Sequence, residues 1–178
     1  MRKIELAPLG GTDESLLAEV SAFLSTTLNI PVDRRVLHLK ADPYFDPGRC
    51  QYNSTNILLA LKAECGDGAQ NGVTLLAVLP HDLFIPVLTF VFGEAELRGS
   101  IAVVSYHRFQ NERYGLPPDR NALITRLCKV ALHEVGHTRG LIHCLNPECV
   151  MFSSSDVEGI DNKGSRFCGE CTKLMKSG

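Results

Sequence analysis

Residues 133–144 read HEVGHTRGLIHC and contain three histidines, one glutamate and one cysteine. His133 and His137 are four residues apart, so on a helix their rings lie on one face, one turn from each other. Two imidazoles in that arrangement can bind one zinc ion, each at about 2.0–2.1 Å. Glu134 is rotated from His133 by about 100° around the helix, so it need not be a ligand. The stretch therefore predicts a helix that carries a metal site.

A catalytic zinc usually has three protein ligands and a water molecule, so two histidines are too few. Gly140 allows a third ligand, because glycine accepts the left-handed conformation that ends a helix and turns the chain. His143 can then reach the same metal, which completes the pattern H-E-x-x-H-x-x-G-x-x-H. HExxH alone can arise by accident in an amphipathic helix, but the longer pattern is far more specific. We expect Glu134 to act as the general base for attack of a zinc-bound water on a carbonyl, and to pass the proton to the leaving amine.

Four of the seven cysteines lie near the carboxyl end with the spacing C-x4-C-x18-C-x2-C. Four thiolates at such spacing fit a closed tetrahedral zinc site, which is structural because no position remains for water or substrate. Two disulfides and an iron–sulfur cluster are the alternatives. The candidate ligands are Cys144, Cys149, Cys168 and Cys171. Nearby cations that can offset the charge of the thiolates are Lys163, Arg166 and Lys173.

Length and composition indicate one ordinary globular domain. The chain has 178 residues, 44% of them hydrophobic, and a net charge of −2. This balance gives no reason to expect nucleic-acid binding, and no apolar run approaches the ~20 residues of a membrane span. The amino terminus lacks the apolar core of a signal peptide, and the odd cysteine count argues against a secreted disulfide framework. We expect a cytoplasmic monomer in which Cys50, Cys65 and Cys128 are ordinary buried thiols.

Hydrophobic periodicity predicts an α/β (α+β) fold with strands and helices interspersed along the chain. The connection near residues 97–100 is short enough for a hairpin, so the fourth strand should be antiparallel in a mixed, mostly parallel five-stranded sheet. The single domain, 1–178, should comprise a sheet and helix subdomain (1–140) and a zinc-stabilised carboxyl-terminal subdomain (141–178). The predicted strands are 3–6, 34–40, 72–80, 88–97 and 100–106. The predicted helices are 13–28, 53–65 and the long active-site helix, 118–139.

The combined pattern, HExxHxxGxxHC-x4-C-x-M followed by CxxC, resembles the archaemetzincins, a family of the metzincin clan of zinc peptidases. The segments RCQYNST (49–55) and LTFVFGEA (88–95) are also similar to that family. Met151 matches the methionine that metzincins place in a tight turn beneath the metal, although it could also simply fill a gap in the core. The resemblance implies a compact metzincin-like fold with two zinc ions per chain. It implies catalytic zinc on His133, His137 and His143, base Glu134, and structural zinc on the four cysteines.

The resemblance implies a peptide or protein substrate without identifying it. The strand at 88–97 should run along the rim of the cleft, where free backbone groups could pair with an extended peptide; the alternative is a strand with no ligand. Glu94 and Glu96 could attract a basic residue or a free amine, or could simply be solvated. Cleavage within the chain and cleavage at its amino terminus both remain open. A non-catalytic zinc-binding peptide-recognition module and hydrolysis of another amide are the competing functions. His38, His81 and His107 are weak candidates for lining the cleft.

Overall fold

A mixed five-stranded sheet and a small three-stranded sheet contain all strands of the described chain. The computed structural model describes residues 3–66 and 72–177. The strands are β1 (Lys3–Pro8), β2 (Val32–Arg34), β3 (Phe45–Asp46), β4 (Gln51–Asn53), β5 (Val73–Leu79), β6 (Leu83–Phe84), β7 (Gly93–Ala95) and β8 (Ile101–Ser105). The larger sheet has the order β2-β1-β5-β8-β7 and the smaller one β3-β4-β6.

The predicted sheet is confirmed in its number of strands and their directions. Strands β2, β1, β5 and β8 are parallel to one another, and β7 is antiparallel to β8. Because β7 lies at one end of the strand order, one side of it has no partner within this sheet. The fold is therefore the mixed α/β arrangement that the alternation of strands and helices indicates.

Two strand predictions were wrong in extent. The strand expected at 34–40 is Val32–Arg34, and the alternating apolar residues after it do not form a ladder, since Val36 is 80% exposed. The strand expected at 88–97 is only Gly93–Ala95, because residues 85–88 form a turn closed by a hydrogen bond from Leu88 N to Ile85 O. The smaller sheet was not predicted, since strands of two or three residues are too short to produce a period-two pattern.

Helix positions follow the capping residues closely. The helices are α1 (Glu14–Leu28), α2 (Ser54–Cys65), α3 (Arg120–Thr138), α4 (Val157–Asn162) and α5 (Gly169–Ser177). Side chains of Asp13, Asn53 and Asp119 accept hydrogen bonds from the first turns of α1, α2 and α3, which is the usual N-cap arrangement. The cap at Asp119 leaves Pro118 outside the helix, so the prediction of 118–139 is correct to within two residues.

The helices cover both faces of the larger sheet. Side chains of β5 alternate between two hydrophobic clusters: Leu76 and Val78 belong to the one that includes α1 and α3, and Leu75 and Ala77 to the one that includes α2. A strand buried on both faces has the continuous apolar sequence seen here, as predicted. The first cluster also includes Met151 and other residues of 141–171. The subdomain boundary at residue 140 stays a prediction.

Within the described residues, no helix combines the length and the apolar character needed to cross a bilayer.

Candidate metal centre and active-site cleft

Helix α3 brings His133 and His137 together at the base of a cleft. Their Nε2 atoms are 3.0 Å apart, and the ring of His143 lies 5.2 Å and 5.1 Å from theirs, measured between centroids. One ring nitrogen from each of the three residues lies within 4.8 Å of the others. The predicted trio is therefore one cluster in space, and its nitrogen atoms face a common point.

Hydrogen bonds to backbone carbonyls determine which nitrogens face that point. His133 Nδ1 lies 2.8 Å from Val150 O, and His137 Nδ1 lies 2.8 Å from Leu141 O. A carbonyl can only accept, so each Nδ1 carries a proton and donates it. Burial lowers the pKa of His133 to about 3 and also lowers the pKa of His137, which keeps both rings neutral. Each Nε2 then presents a lone pair, as a metal ligand must.

Two lone pairs facing each other at 3.0 Å repel unless a cation lies between them. Bonds of about 2.0–2.1 Å in a tetrahedral arrangement separate ligand nitrogens by roughly 3.3 Å, close to the observed distance. The three histidines therefore fit a small divalent cation such as zinc.

The chain reversal after α3 places His143 against the helix from which it departs. Gly140 has φ +87°, in the left-handed region, and its N–H donates to His137 O, while Leu141 N donates to Gly136 O. These two bonds form the glycine-terminated helix end that the sequence predicts. The turn also presents Leu141 O to His137 Nδ1. Gly140 thus redirects the chain, and the next residue orients a candidate ligand.

Glu134 points into the cleft from the same helix and is tightly confined. Its side chain is buried and forms no hydrogen bond or ion pair with any described residue. A Cβ placed on Gly93 of β7 would lie 2.8 Å from Glu134 Oε1 and 2.7 Å from Val103 O. Burial raises the pKa of Glu134 to about 8, which makes its carboxylate a stronger base than an exposed one. This arrangement suits a group that takes up a proton.

Met151 packs beneath the histidines and does not face the cleft. It is fully buried, and a Cβ on Gly136 would lie 2.5 Å from its sulfur. Gly136 stands between the two helical histidines, so a glycine there allows the methionine to approach the helix closely. The preceding residue supplies the carbonyl that orients His133. Met151 therefore packs against α3 between the two histidines, and its role beneath a metal stays a prediction.

The four carboxyl-terminal cysteines form a second cluster. Their sulfur atoms all lie within 4.8 Å of one another, and Cys144 Sγ is 3.9 Å from Cys168 Sγ. A disulfide needs about 2.05 Å, whereas tetrahedral zinc with bonds of about 2.3 Å separates its sulfurs by roughly 3.8 Å. Backbone N–H groups of Asn146 and Cys168 donate to sulfur atoms of the cluster. All seven cysteines are free thiols in the part of the chain that the structure describes.

The cysteines of the cluster perturb one another's pKa values. A hydrogen bond from the Cys171 backbone lowers the pKa of Cys168 to about 7. Burial raises the pKa of Cys149 and of Cys171, and the neighbouring thiols raise that of Cys171 further. Crowded thiolates repel one another, and a coordinated divalent ion removes that penalty because it deprotonates the thiols it binds. The cluster is therefore chemically suited to zinc.

The two clusters are linked through one short segment. Cys144 N donates to Met151 O at 3.0 Å, and an isolated bridge pairs Cys144 with Phe152. Val150 N donates to Arg166 O, while Val150 O accepts from His133. Val150, which accepts a hydrogen bond from the candidate ligand His133, therefore lies directly between Cys149 and Met151.

The cleft above the histidines has a volume of about 640 Å³. Residues 88–95 line it together with α3, His143 and the segment 153–155. Its wall includes the exposed aliphatic residues Leu88, Leu97 and Ile142. The position of β7 next to the cleft agrees with the expectation that the fourth strand runs along its rim.

Most of the weaker candidates have structural contacts outside the cleft. His38 is exposed, His81 stacks on Tyr52, and His107 Nδ1 bonds to Pro80 O; none of the three lines the cleft. Glu94 does line it, but its carboxylate accepts from the hydroxyls of Ser54 and Thr55 at the start of α2. Glu96 forms an ion pair with Lys62 at 2.6 Å. Both carboxylates therefore already interact with side chains of α2.

One of the three remaining cysteines was placed wrongly. Cys128 is buried and Cys65 is partly buried, but Cys50 is exposed. Cys50 lies in the turn between β3 and β4 with φ 54°, where the chain reverses at the surface. A turn of this kind cannot bury its side chains in a core.

Lys163 is the cleft residue that the sequence did not assign to the active site. We expected it to offset the thiolates, and the charge of Cys149 does attract it, but it also lines the cleft with Glu134 and the histidines. Burial lowers its pKa to about 8, and Glu134 opposes that shift. The carbonyls of Leu141 and Val150 were also missed, since a backbone acceptor leaves no mark in the sequence.

Comparisons with known proteins agree with this geometry. The family described as peptidase family M54 matches residues 13–177. Archaemetzincin from Methanocaldococcus jannaschii is 42% identical over 72% of this chain and 68% of its own length. A zinc-dependent peptidase from Methanocorpusculum labreanum has 35% identity and a TM-score of 0.84, covering 97% of this chain and 99% of its own. Archaemetzincin from Methanopyrus kandleri has 31% identity and a TM-score of 0.84, covering 99% and 94%.

This chain matches the family over nearly its whole length. It also carries two histidines and a glutamate on α3, a third histidine after the glycine turn and four cysteines nearby. The chain belongs to peptidase family M54, the archaemetzincins, and is a zinc metallopeptidase.

Proposed function

We propose that this metallopeptidase hydrolyses peptide bonds with Glu134 as its general base and with two zinc ions per chain. His133, His137 and His143 would hold the catalytic zinc. The structural zinc would be held by Cys144, Cys149, Cys168 and Cys171. The observation that carries the proposal is the juxtaposition of two neutral, lone-pair-bearing histidines with a buried carboxylate that accepts no hydrogen bond from a described residue.

Zinc, when bound, lowers the pKa of water and polarises a carbonyl. Glu134 takes a proton from the attacking water onto its carboxylate and passes it to the nitrogen of the leaving amine. Val150 O and Leu141 O hold the histidine rings in the orientation that directs Nε2 to the site. The cleft walls restrict the access of bulk water to Glu134, which keeps the carboxylate basic.

The outer edge of β7 is suited to hold the substrate. Phe92 O accepts from Ser105 N, and Glu96 N donates to Ile101 O. Backbone groups alternate in direction along an antiparallel strand, so those of Gly93 and Ala95 turn away from β8. An extended peptide could add to this edge as a further strand and so lie across Glu134. Strand addition explains how a small enzyme could hold a peptide without a pocket for every side chain.

Single-ion geometry favours zinc over the alternatives at the cysteines. Sulfur atoms within 4.8 Å of one another are too close to surround a multi-iron cluster, and too far apart at 3.9 Å for a disulfide. The site is closed, because all four positions of a tetrahedral ion are filled by protein. Its role would therefore be structural.

Glu134→Gln tests the mechanism. The variant should retain two zinc ions per chain and its fold, and should lose at least about 100-fold in kcat, the usual contribution of a general base. Elemental analysis, circular dichroism and cleavage of a peptide library measure these three properties. Glu112→Gln, at an exposed glutamate outside the cleft, is the matched control and should behave as the parent.

Parent-like cleavage by Glu134→Gln would show that Glu134 is not the base. A parent that holds two zinc ions but cuts no peptide in a diverse library would favour a peptide-recognition module. One zinc per chain together with thiols that react only after reduction would favour disulfides at the four cysteines.

A further inference from the structure

Lys163 places a buried cation in the active-site cleft. It follows α4 directly, its exposure is only 5%, and it lines the same cleft as His133 and Glu134. No other lysine or arginine belongs to the cleft wall that the structure describes. The position therefore differs from that of an ordinary surface lysine, whose ammonium is solvated.

The ammonium of Lys163 has unused hydrogen-bonding capacity. Nζ donates to Phe152 O at 3.1 Å, and this is its one hydrogen bond within the described residues. An ammonium can donate three. Among the described carboxylates none forms an ion pair with it, although the charges of Glu134 and Cys149 attract it and that of Lys129 repels it. Burying a cation without a paired anion is unfavourable unless something else compensates.

The backbone at Lys163 is held firmly in place by α3. Lys129 Nζ donates to the carbonyls of Ile160, Asp161 and Lys163 at 2.9, 2.8 and 2.7 Å. Arg126 binds both carboxylate oxygens of Asp161. The helix that carries the candidate zinc ligands therefore also fixes the segment that presents the cation. Such a support is expected where a side chain must meet a ligand in a defined position.

The cleft that Lys163 lines is partly apolar, which favours its attraction for an anion. Phe92, Val130 and Ile160 supply apolar surface to the cleft. Electrostatic attraction is stronger beside apolar surface than in water, because the local dielectric constant is lower. An anionic group entering the cleft would therefore meet an under-coordinated ammonium in a favourable environment.

We propose that Lys163 is a specificity residue that binds a carboxylate of the peptide substrate. The carboxylate is either an acidic side chain near the scissile bond or the carboxyl terminus of a short peptide. This assignment rests on the peptidase function proposed above and deepens it. It identifies the preferred substrates as peptides that carry a negative charge within reach of Nζ.

A purely structural role, offsetting the charge of the cysteine cluster, fits the contacts less well. Backbone N–H groups, among them those of Asn146 and Cys168, donate to sulfur atoms of the cluster, whereas Lys163 Nζ donates to a carbonyl. A lysine that served only the cysteines would affect zinc retention and stability but not the choice of substrate. The two roles therefore make different predictions.

The test uses peptides that differ only in one charge. In one series Glu replaces Gln at each position around the cleavage site of a neutral peptide, and in the other a terminal carboxylate replaces an amide. For the zinc-loaded parent, we expect kcat/KM at one position to be about tenfold higher or more for the Glu peptide than for the matching Gln peptide. The alternative is the same preference for the terminal acid over the terminal amide. A ratio of this size corresponds to a hydrogen bond to a charged group. The series that shows the effect identifies the source of the carboxylate.

Lys163→Met should bring that ratio close to one, while Lys163→Arg should retain most of it because the charge remains. Lys40→Met, at an exposed lysine outside the cleft, should leave the ratio unchanged. Zinc content and melting temperature are measured on each variant, so that a loss of fold is recognised. If Lys163→Met does not fold, the preference of the parent and of Lys163→Arg still decides the matter.

The assignment would be overturned if the parent showed no preference for any carboxylate. It would also be overturned if Lys163→Met kept the preference of the parent, or if Lys163→Met lowered kcat equally for charged and neutral peptides. Binding of the same peptides to zinc-loaded Glu134→Gln, measured by fluorescence anisotropy, provides a readout independent of turnover. A carboxylate preference in binding without cleavage by the parent would retain the role of Lys163 and reject the proposed peptidase mechanism. Cleavage without a charge preference would retain the proposed peptidase mechanism and reject the role of Lys163.

Discussion

Gly93 and Glu134 show how a single residue on the sheet controls the space available to the candidate base. The two come from different elements, β7 and α3, yet a Cβ on Gly93 would lie only 2.8 Å from the Glu134 side chain, closer than such atoms normally approach. The backbone at Gly93 is not in the left-handed region, so conformation alone does not require glycine there. The close approach of a neighbouring carboxylate does.

We therefore expect Gly93→Ala to reduce activity severely while Glu134 itself remains. The added methyl group would lie 2.7 Å from the backbone oxygen of Val103, which cannot move without disturbing the β7–β8 ladder, and 2.8 Å from Glu134 Oε1. Overpacking of this kind typically destabilises a fold by about 1–3 kcal/mol. Peptide cleavage and urea unfolding measure the two effects.

Gly169→Ala is the matched control, because a Cβ at Gly169 meets nothing within 4 Å. It should be at least as stable to urea as the parent, because alanine favours the helix that begins at Gly169 more than glycine does. If Gly93→Ala cleaves peptides at the parent rate and is equally stable, then Glu134 is free to move and its confinement has no role in the reaction.

At the scale of elements, the segment 144–152 joins the two candidate zinc sites. Its first residue, Cys144, belongs to the cysteine cluster, and the backbone N–H of Cys144 donates to Met151 O. Val150, within the segment, accepts the hydrogen bond from His133. Since the outer partners of metal-binding histidines influence metal affinity strongly, a disturbance at the cysteines should reach the histidines.

Cys144→Ser is expected to weaken zinc binding at the histidines without altering any histidine. Loss of an outer partner typically changes metal affinity by about 10–100-fold. Competition with a chelator, with zinc release followed at both sites, measures the effect. Cys50→Ser, at an exposed cysteine away from both clusters, should bind zinc as the parent does. Unchanged affinity of the histidine site in Cys144→Ser would eliminate the coupling.

Sequence patterns predicted those elements whose function depends on side-chain identity and spacing. The histidine and cysteine clusters, the end of α3 at Gly140 and the antiparallel fourth strand all follow from such patterns. The patterns did not predict the carbonyls of Val150 and Leu141 as histidine partners, because backbone atoms are the same in every residue. Lys163 was assigned to the thiolates because only the three-dimensional fold brings the end of α4 to the cleft.

At the scale of the whole molecule, Asp82 connects the two sheets. It precedes β6 of the smaller sheet, and both of its carboxylate oxygens accept from Arg108, which follows β8 of the larger one. Gln51 donates to Asp82 and to Thr89 O. The Arg108 guanidinium lies 3.8 Å from the centroid of the Phe90 ring, on the cleft wall. This network therefore holds the cleft wall between the two sheets.

Burial alone would raise the pKa of Asp82, but hydrogen bonds from Arg108 and Gln51 outweigh it and hold the pKa below its ordinary value. A carboxylate whose pKa is lowered by folding stabilises the fold at pH values above its unfolded pKa of about 3.9, and this contribution disappears as pH falls through the lower folded value. The contribution should therefore be complete at neutral pH and decline only below about pH 4.

Asp82→Asn should accordingly lower the free energy of unfolding by roughly 1–3 kcal/mol at pH 7, the range for hydrogen bonds to a charged group. The difference from the parent should shrink as pH falls below about 4, because the parent then loses the same charge. Urea unfolding of both proteins over a pH series measures it, and zinc loss in acid affects both alike. Asp33→Asn, which removes an exposed ion pair with Lys3, should have little effect. A penalty for Asp82→Asn that stays constant down to pH 2 would mean that packing of the side chain, and not its charge, joins the sheets.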